Sequence, residues 1–307
     1  MFRLAHISDV HLGPLPDVTY RELASKRITG YVNWHRNRRR LLTAGVTEAI
    51  LDGIKADGAD HLAITGDLVN LALDAEIELA RIWLETLGEP QDVSVVPGNH
   101  DAYVPGALAK ACRAWQPWMT GDEATGQANR NGFPYLRIRG DVALIGVSSA
   151  RATAPFMAIG QFSSEQARRL AVLLDMTRRR GLYRVIMIHH PPVRGATAAH
   201  KRLYGISLFQ KTVRRHGAEL VLHGHTHLPT LFWIDGMQGK IPVVGVTAAG
   251  QSPGGQRPAA QYNLIDIAGT AGNWSVELTR RGVTGQSLSV ATISKSDLTR
   301  GQAASTA

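Results

Sequence analysis

Cysteine is almost absent from this chain: Cys112 is the single one among 307 residues. A lone cysteine can form no internal disulfide and cannot build a cluster of thiolate metal ligands. The composition therefore excludes a disulfide-stapled secreted scaffold and fits a reducing compartment. Only Met1-Phe2-Arg3 precedes a strand that ends in polar residues, so we expect no cleavable signal peptide and a cytoplasmic protein.

Long apolar runs, aromatic residues and acidic residues are also scarce. No apolar run approaches the ~20 residues that a membrane-spanning helix needs. Aromatics make up 6% of the chain, and the absence of a zinc finger or RNP-like sequence argues against a nucleic-acid partner. Acidic residues number 25 against 34 basic ones, and the resulting net charge of +9 favours an anionic partner, whether lipid surface, phosphate ester or nucleic acid. Nothing in the sequence indicates an oligomeric state.

Apolar segments alternate in strand and helix patterns along most of the chain, and 44% of the residues are hydrophobic, enough for a large core. The alternating order predicts an α/β fold with two packed sheets and helices outside. We expect one domain over residues 1–281. From about Gly282 the sequence becomes rich in Ser, Thr, Gly and Ala, which predicts a loose tail over residues 282–307.

Five short polar fragments follow predicted strands. The strands are Phe2–Ile7, His61–Thr65, Val93–Val96, Val185–Ile188 and Leu220–Leu222, and the fragments are Asp9-Val10-His11, Gly66-Asp67, Gly98-Asn99-His100-Asp101, His189-His190 and Gly224-His225-Thr226-His227. Strand ends in α/β proteins carry functional loops at a common edge of the sheet. We therefore expect these side chains to converge on one site.

The side chains in these fragments are typical metal ligands. Asp9 and His11 are two apart on extended backbone and share a face, whereas Asp67 has two carboxylate oxygens that can bridge two ions. A set of nitrogen and oxygen donors without sulfur suits Mn²⁺, Fe or Zn²⁺ better than Cu(I) or Ca²⁺. We expect two divalent ions, with Mn²⁺ first. Glycine precedes a ligand in three fragments, where we expect positive φ or close backbone approach: Gly66, Gly98 and Gly224.

The combined pattern D-x-H, G-D, G-N-H-D, H and G-H-x-H from Asp9 to His227 resembles the calcineurin-like metallophosphoesterase family. The resemblance implies a two-sheet β-sandwich flanked by helices and a dinuclear metal centre that hydrolyses phosphodiesters. It implies that one ion is held by Asp9, His11, Asp67 and His227, and the other by Asp67, Asn99, His189 and His225. Bacterial enzymes of phospholipase C type and lipid pyrophosphatases are among the members this chain resembles.

Catalytic roles also come from the resemblance. Two ions about 3.5–4 Å apart activate a water and stabilise the oxygens of an in-line displacement at phosphorus. In the family the histidine after the asparagine acts near the leaving oxygen, so His100 is the candidate general acid. We expect Asp101 to orient His100. His190, in the loop before Pro191-Pro192, is a candidate for contact with substrate.

Residues 18–40 form a basic aromatic insert near the predicted metal site. Between Arg21 and Arg40, seven Arg or Lys residues accompany a single Glu, with aromatic and aliphatic residues interleaved. The insert has three interpretations: a solvated basic face packed on the core, a surface that binds lipid headgroups, or a nucleic-acid contact. Its candidate substrate contacts are Tyr31, Trp34 and Arg38.

Four functions remain in competition, one of them a DNA exonuclease, although the sequence shows no accessory dimerisation or DNA-capping region. The insert favours hydrolysis of a phospholipid or lipid-linked phosphodiester by a cytoplasmic enzyme that binds peripherally to the inner face of the membrane. The alternative enzyme is a soluble 3',5'-cyclic-nucleotide phosphodiesterase, which uses the same metal pattern. A non-catalytic binding scaffold is the third, and the complete ligand set argues against it.

Overall fold

A computed structural model describes residues 1–35, 45–123, 130–285 and 287–299. Two six-stranded mixed sheets dominate the fold. The first sheet has the order β14 (Ser289–Asp297), β13 (Asn273–Thr284), β12 (Gln261–Thr270), β1 (Phe2–Ile7), β2 (His61–Ile64) and β3 (Val93–Val95). The second has the order β10 (Leu231–Asp235), β11 (Lys240–Gly245), β9 (Leu220–His223), β7 (Tyr183–Met187), β5 (Val142–Gly146) and β4 (Tyr135–Arg139). A short parallel pair joins β6 (Gly160–Gln161) to β8 (Leu203–Tyr204).

The centre of each sheet is parallel. β1, β2 and β3 run parallel to one another in the first sheet, as do β5, β7, β9 and β11 in the second. The carboxyl ends of these strands therefore lie together at one edge of their sheet. Ser8, just after β1, pairs with Ala248, just after β11, and this bridge joins the two edges.

Helices flank the two sheets, and the first two of them lie in the insert. They are α1 (Tyr20–Leu23), α2 (Arg27–Asn33), α3 (Val46–Ala56), α4 (Asp74–Glu85), α5 (Ala107–Ala114), α6 (Ser164–Arg179) and α7 (Ile206–His216). α3 packs against β12, β13 and β14, while α6 and α7 pack on each other and on the second sheet. None of the helices in the described part of the chain is long and apolar enough to cross a membrane.

The second sheet is buried on both faces, as its strands show. Along β7, Val185 and Met187 join the core shared with the first sheet, whereas Ile186 joins the core beneath α6 and α7. Neighbouring side chains of a strand point to opposite faces, so a continuous apolar run fills both cores. The predicted α/β sandwich of two sheets flanked by helices is confirmed.

The predicted loose tail over residues 282–307 is wrong for its first part. β13 continues to Thr284, and β14 pairs antiparallel with it, with Val283 opposite Val290. Val290, Thr292 and Ile293 are β-branched and favour an extended chain. The Ser and Thr content that suggested disorder thus belongs to an edge strand, while residues 300–307 lie outside the described residues.

The insert also has regular structure that its sequence did not predict. Thr19 caps α1 in a capping box with Glu22, and α2 follows from Arg27 to Asn33. The hydrophobic periodicity of the sequence predicts a helix from about Arg39 to Lys55. Its start, like Arg38, falls in residues 36–44, which lie outside the described residues. The described part of that helix is α3, from Val46 to Ala56.

Candidate metal centre

The side chains of the five fragments meet where the parallel strands of the two sheets end. Among the described residues, three overlapping groups each offer one ligand atom per residue, and the atoms of a group lie within 4.8 Å of one another. The groups are Asp9 with His11 and His227, Asp9 with Asp67 and His189, and His11 with Asp67 and His100. Fragments separated by more than 200 residues of sequence thus come together because their strands end at adjoining edges of the two sheets.

Asp67 lies at the centre of this arrangement. Its Oδ2 atom is 3.4 Å from His189 Nε2 on one side and 3.9 Å from His11 Nε2 on the other. Asn99 Oδ1 is 3.2 Å from the same His189 nitrogen. On the His11 side, His227 Nε2 lies 3.0 Å from Asp9 Oδ1. One carboxylate therefore faces two separate sets of donors.

The backbone turns sharply at the candidate ligands themselves. Five of them have φ in the left-handed region: Asp9 (54°), His11 (48°), Asp67 (58°), His225 (67°) and His227 (56°). This conformation costs a non-glycine residue of order 1–3 kcal/mol and occurs at sites where function requires the geometry. The strained turns aim the side chains from the strand ends into the site.

The glycines before the ligands serve two different purposes. Gly66 has φ of 98°, as the sequence predicts for a sharp turn. Gly98 and Gly224 do not have positive φ, but a Cβ at Gly98 would collide with the Asp67 carboxylate and one at Gly224 with the Ser8 hydroxyl. These two positions therefore lack a side chain because the fragments pack against each other.

Backbone carbonyls fix the tautomer of four histidines at the site. A carbonyl can only accept a hydrogen bond, so the ring nitrogen facing it carries the proton. Nδ1 of His11 donates to Val69 O (3.1 Å), Nδ1 of His100 to Asn70 O (2.6 Å), Nδ1 of His189 to Thr65 O (2.6 Å) and Nε2 of His225 to Lys201 O (2.9 Å). The opposite nitrogen of each neutral ring then carries the lone pair that a metal ion needs.

Other buried histidines lack this arrangement. Both ring nitrogens of His190 are engaged, Nδ1 with Ser149 Oγ at 2.8 Å and Nε2 with Ala158 O at 3.1 Å. His223 is similarly bonded on both sides, to Gly224 O and Thr230 Oγ1. His190 is therefore not the substrate contact that its position suggested. It packs its ring against His225, with centroids 4.2 Å apart, and burial lowers its pKa to about 3.

The donor set fits divalent cations. Asp9 is fully buried, and its Oδ1 atom accepts no aligned hydrogen bond from the described residues. Burial alone would raise the pKa values of Asp9 and Asp67, but attraction to neighbouring imidazoles in their protonated form, His227 beside Asp9 and His189 beside Asp67, outweighs burial and lowers both pKa values. The two carboxylates are therefore ionised beside a positive charge. With a divalent ion in place of the imidazole protons, these carboxylates, the imidazole nitrogens and an amide oxygen match the nitrogen and oxygen ligands of Mn²⁺, Fe or Zn²⁺.

Asp101 does not orient His100, which corrects the expectation from sequence. It is fully buried, and its two oxygens accept N–H bonds from Gly98 (2.8 Å), Asp67 (2.9 Å), Leu68 (2.9 Å) and Val69 (3.3 Å). Burial and the Asp67 charge raise the pKa of Asp101 to about 7, while the N–H donors favour its ionised form. Asp101 ties the turn after β3 to the turn after β2, and so acts on the ligands rather than on His100.

His100 is held by other groups. Besides the bond from Nδ1 to Asn70 O, its backbone N–H donates to Asp67 Oδ1 at 2.7 Å. Its ring stands edge-on to His11, with centroids 4.8 Å apart, and stacks on Tyr103. No sequence pattern points to Asn70, Val69, Thr65 or Lys201 as partners, since a backbone carbonyl can come from any residue.

Two of the candidate substrate residues in the insert lie inside the described chain. Trp34 is 6% exposed and belongs to the core, so its side chain is not placed as a candidate substrate contact should be. Tyr31 is half-buried, with its ring 4.4 Å from His35. Both aromatic side chains are shielded from solvent because this side of α2 faces the protein. Arg38 lies outside the described residues.

A cleft of about 980 Å³ opens over the site. Asp9, Asp67 and His100 lie in its lining, Asn33 of the insert borders it, and the loops with Lys201 and Arg257 form further walls. The cleft is large enough for a substrate much bigger than inorganic phosphate. Both cationic side chains are exposed at its rim.

Comparisons with known proteins agree with this geometry. The sequence model of the calcineurin-like phosphoesterase family matches residues 2–229. No curated protein sequence matches. Among solved structures, a dimetal phosphatase from Danio rerio is similar with a TM-score of 0.56 at 13% identity, over 96% of this chain and 99% of that one. The purple acid phosphatase PPD1 from yellow lupin (Lupinus luteus) has a TM-score of 0.53 at 13% identity, over 91% of this chain and 51% of that one.

At these identities the two structures support the fold alone, and the family match carries the assignment. It spans all five fragments and the strands that precede them. Members of the family depend on a dinuclear metal centre, and this chain has the candidate ligand groups. The chain belongs to the calcineurin-like phosphoesterase family and is a metal-dependent phosphoester hydrolase.

Proposed function

We propose that this hydrolase is a phosphodiesterase whose substrate is a phospholipid or lipid-linked phosphodiester met at the membrane surface. The observation that carries the proposal is an exposed apolar face beside the cleft. α2 ends at Asn33, which borders the cleft, and Ile28 and Val32 on the same helix are 54% and 42% exposed. They are four residues apart and therefore share one side of the helix.

A further exposed apolar side chain, Phe156, lies on a loop next to the insert. It is 82% exposed and belongs to a loop that is tied to the insert, because Lys26 Nζ donates to Thr153 Oγ1 (2.6 Å) and to Met157 O (2.9 Å). Exposed apolar side chains on a chain of net charge +9 suit an anionic bilayer, where apolar groups enter the boundary and cations meet headgroup phosphates. The proposal implies a peripheral enzyme at the inner face of the membrane.

For the metal centre we propose two ligand sets that share Asp67. Asp9, His11, Asp67 and His227 hold one ion, and Asp67, Asn99, His189 and His225 hold the other. Two bound divalent ions, with Mn²⁺ as our first choice, supply Lewis-acid chemistry that lowers the pKa of an attacking water to about 7 and offsets the charge of phosphoryl oxygens.

The chain's own residues supply the remaining chemistry. His100 donates the proton to the leaving oxygen from Nε2, since Asn70 O holds Nδ1–H at 2.6 Å. The proton added to His100 before each turnover sits on Nε2 for the same reason. Asp101 holds the turns that carry Asp67 and Asn99, and so maintains the spacing between ligands and His100.

A substrate panel with Mn²⁺ tests this proposal. We expect release of phosphorylated headgroup from phosphatidylcholine or phosphatidylglycerol vesicles. Turnover of 3',5'-cyclic AMP without lipid cleavage would instead establish the soluble cyclic-nucleotide enzyme. Lack of hydrolysis of any diester by the metal-loaded protein would indicate a binding scaffold.

The exposed apolar face beside the cleft is tested separately. Aspartate at Ile28 or Val32 should weaken vesicle binding about tenfold each, because a charge replaces an apolar side chain at the interface. Leu79→Asp is the matched control, since Leu79 is 49% exposed on α4. Hydrolysis of soluble bis-p-nitrophenyl phosphate should stay unchanged in all three variants. Equal vesicle binding by the Ile28, Val32 and Leu79 variants would contradict the proposal that this face binds the membrane.

A further inference from the structure

A chain of ring and charge contacts links the insert to His100. The Tyr103 ring stacks on the His100 ring, with centroids 5.3 Å apart and planes 22° from parallel. Lys26 Nζ lies 4.6 Å from the centroid of the Tyr103 ring. Stacking and cation–π contacts each favour a defined ring orientation. Tyr103 thus stands between a cation of the insert and the histidine at the metal centre.

Lys26 is fixed in this position. Its ammonium donates to Thr153 Oγ1 and Met157 O, and the side chain is half-buried, unlike the usual mobile surface lysine. Burial lowers the pKa of Lys26 to about 8, so the group still carries its charge at neutral pH. A cation held at two oxygens on one side acts on the Tyr103 ring as a permanent partner.

α2 also contacts the turn that holds the ring nitrogen of His100. Arg27 donates to Leu71 O at 3.0 Å and to Ala72 O at 2.5 Å, in the turn whose Asn70 carbonyl accepts the Nδ1–H of His100. Gly30 packs so closely on Tyr103 that a Cβ there would collide with the tyrosine hydroxyl. The helix therefore controls both the ring face and the ring nitrogen of His100.

We propose that Lys26 and Tyr103 are positioning residues that hold His100 for proton donation to the leaving oxygen. The inference rests on the proposed function, in which His100 is the general acid. Neither residue belongs to the proposed ligand sets, so their loss should leave metal content unchanged. The insert accordingly serves catalysis through α2 in addition to any contact with the membrane.

The first test observes His100 directly, in metal-free protein. The Nδ1–H protons of His100 and His189 both bond to carbonyls at 2.6 Å, and we expect each to give a signal at the downfield end of the proton NMR spectrum. His100→Gln assigns the His100 signal. In Lys26→Met and Tyr103→Leu we expect this signal to shift or broaden while that of His189 stays in place. Tyr103→Phe, which keeps the ring, and Lys26→Arg, which keeps the charge, should largely restore it.

The second test is kinetic and uses soluble diesters. Lys26→Met and Tyr103→Leu should lower kcat about tenfold or more for an alkyl diester, whose leaving group needs a proton, with little change in KM or in hydrolysis of bis-p-nitrophenyl phosphate. Lys55→Met is the matched control, since Lys55 is exposed on α3. Equal losses for both diesters would overturn the inference.

The NMR outcomes are also decisive. An unchanged His100 signal in Lys26→Met and Tyr103→Leu would overturn the positioning role, as would a joint loss of the His100 and His189 signals, which indicates general disruption. If His100→Gln itself shows no preference between leaving groups, the proposed general acid is wrong, whereas the NMR result still decides whether Lys26 and Tyr103 hold the ring.

Discussion

Replacing His100 with glutamine should separate diester substrates by how much their leaving groups need a proton. Glutamine keeps a polar side chain of similar reach but cannot transfer a proton. In the native site the bond from Nδ1 to Asn70 O, at 2.6 Å, and the stacking on Tyr103 hold the ring so that Nε2 is the proton donor. Proton transfer by such a positioned group contributes typically ~10²–10⁴-fold to the rate. A loss of 10²-fold corresponds to about 2.7 kcal/mol of transition-state stabilisation.

The assay compares kcat for an alkyl diester and for bis-p-nitrophenyl phosphate, whose nitrophenolate leaves without protonation. For His100→Gln we expect the full loss with the alkyl diester and a loss below about tenfold with the nitrophenyl diester. Metal content, measured in the same preparations, should match the native protein. His100 lies within 4.8 Å of ligand atoms of His11 and Asp67, so metal loss in the variant would show that His100 is a ligand rather than the general acid.

Two further predictions concern stability. Asp101→Ala leaves four N–H groups without their acceptor. We therefore expect the free energy of unfolding, measured by urea titration in the presence of chelator, to fall by about 2–4 kcal/mol. A change below about 0.5 kcal/mol would contradict the role of Asp101 in joining the turns after β2 and β3. Burial lowers the pKa of His61 to about 3 from about 6.5, so between these values the unfolded chain binds more protons and stability rises with pH by up to about 1.4 kcal/mol per unit. His61→Gln should flatten that slope, whereas exposed His200→Gln should not.

The sequence predicted the architecture because hydrophobic periodicity determines both strand identity and burial. Alternation of helix and strand predicted the two-sheet α/β fold, and the strand ends predicted where the polar fragments meet. In residues 289–297 the Ser and Thr content predicted a loose tail, although the β-branched residues of the same segment favour a strand. The structure shows the strand, β14. Local composition cannot tell an edge strand from a polar loop when pairing with β13 supplies the stability.

Within the site, the sequence identified the functional side chains but not the hydrogen bonds and packing contacts that hold them in place. Adjacency in sequence suggested that Asp101 orients His100, yet the carboxylate turns to the N–H groups of the turn after β2. Contacts between distant segments, such as Lys26 with Tyr103, depend on how α2 docks, and no local pattern encodes that. Trp34 in the core follows from the same docking, because α2 turns that side of the insert inward.

The dinuclear metal centre is tested most directly by a calorimetric titration of metal-stripped protein with Mn²⁺. Because Asp67 faces both donor sets, at 3.4 Å from His189 and 3.9 Å from His11, the native chain should bind two ions and Asp67→Ala should bind neither tightly. His227→Ala, which removes a ligand from one set alone, should retain one ion. A native stoichiometry of one, or an Asp67→Ala variant that still binds two ions, would contradict the dinuclear centre.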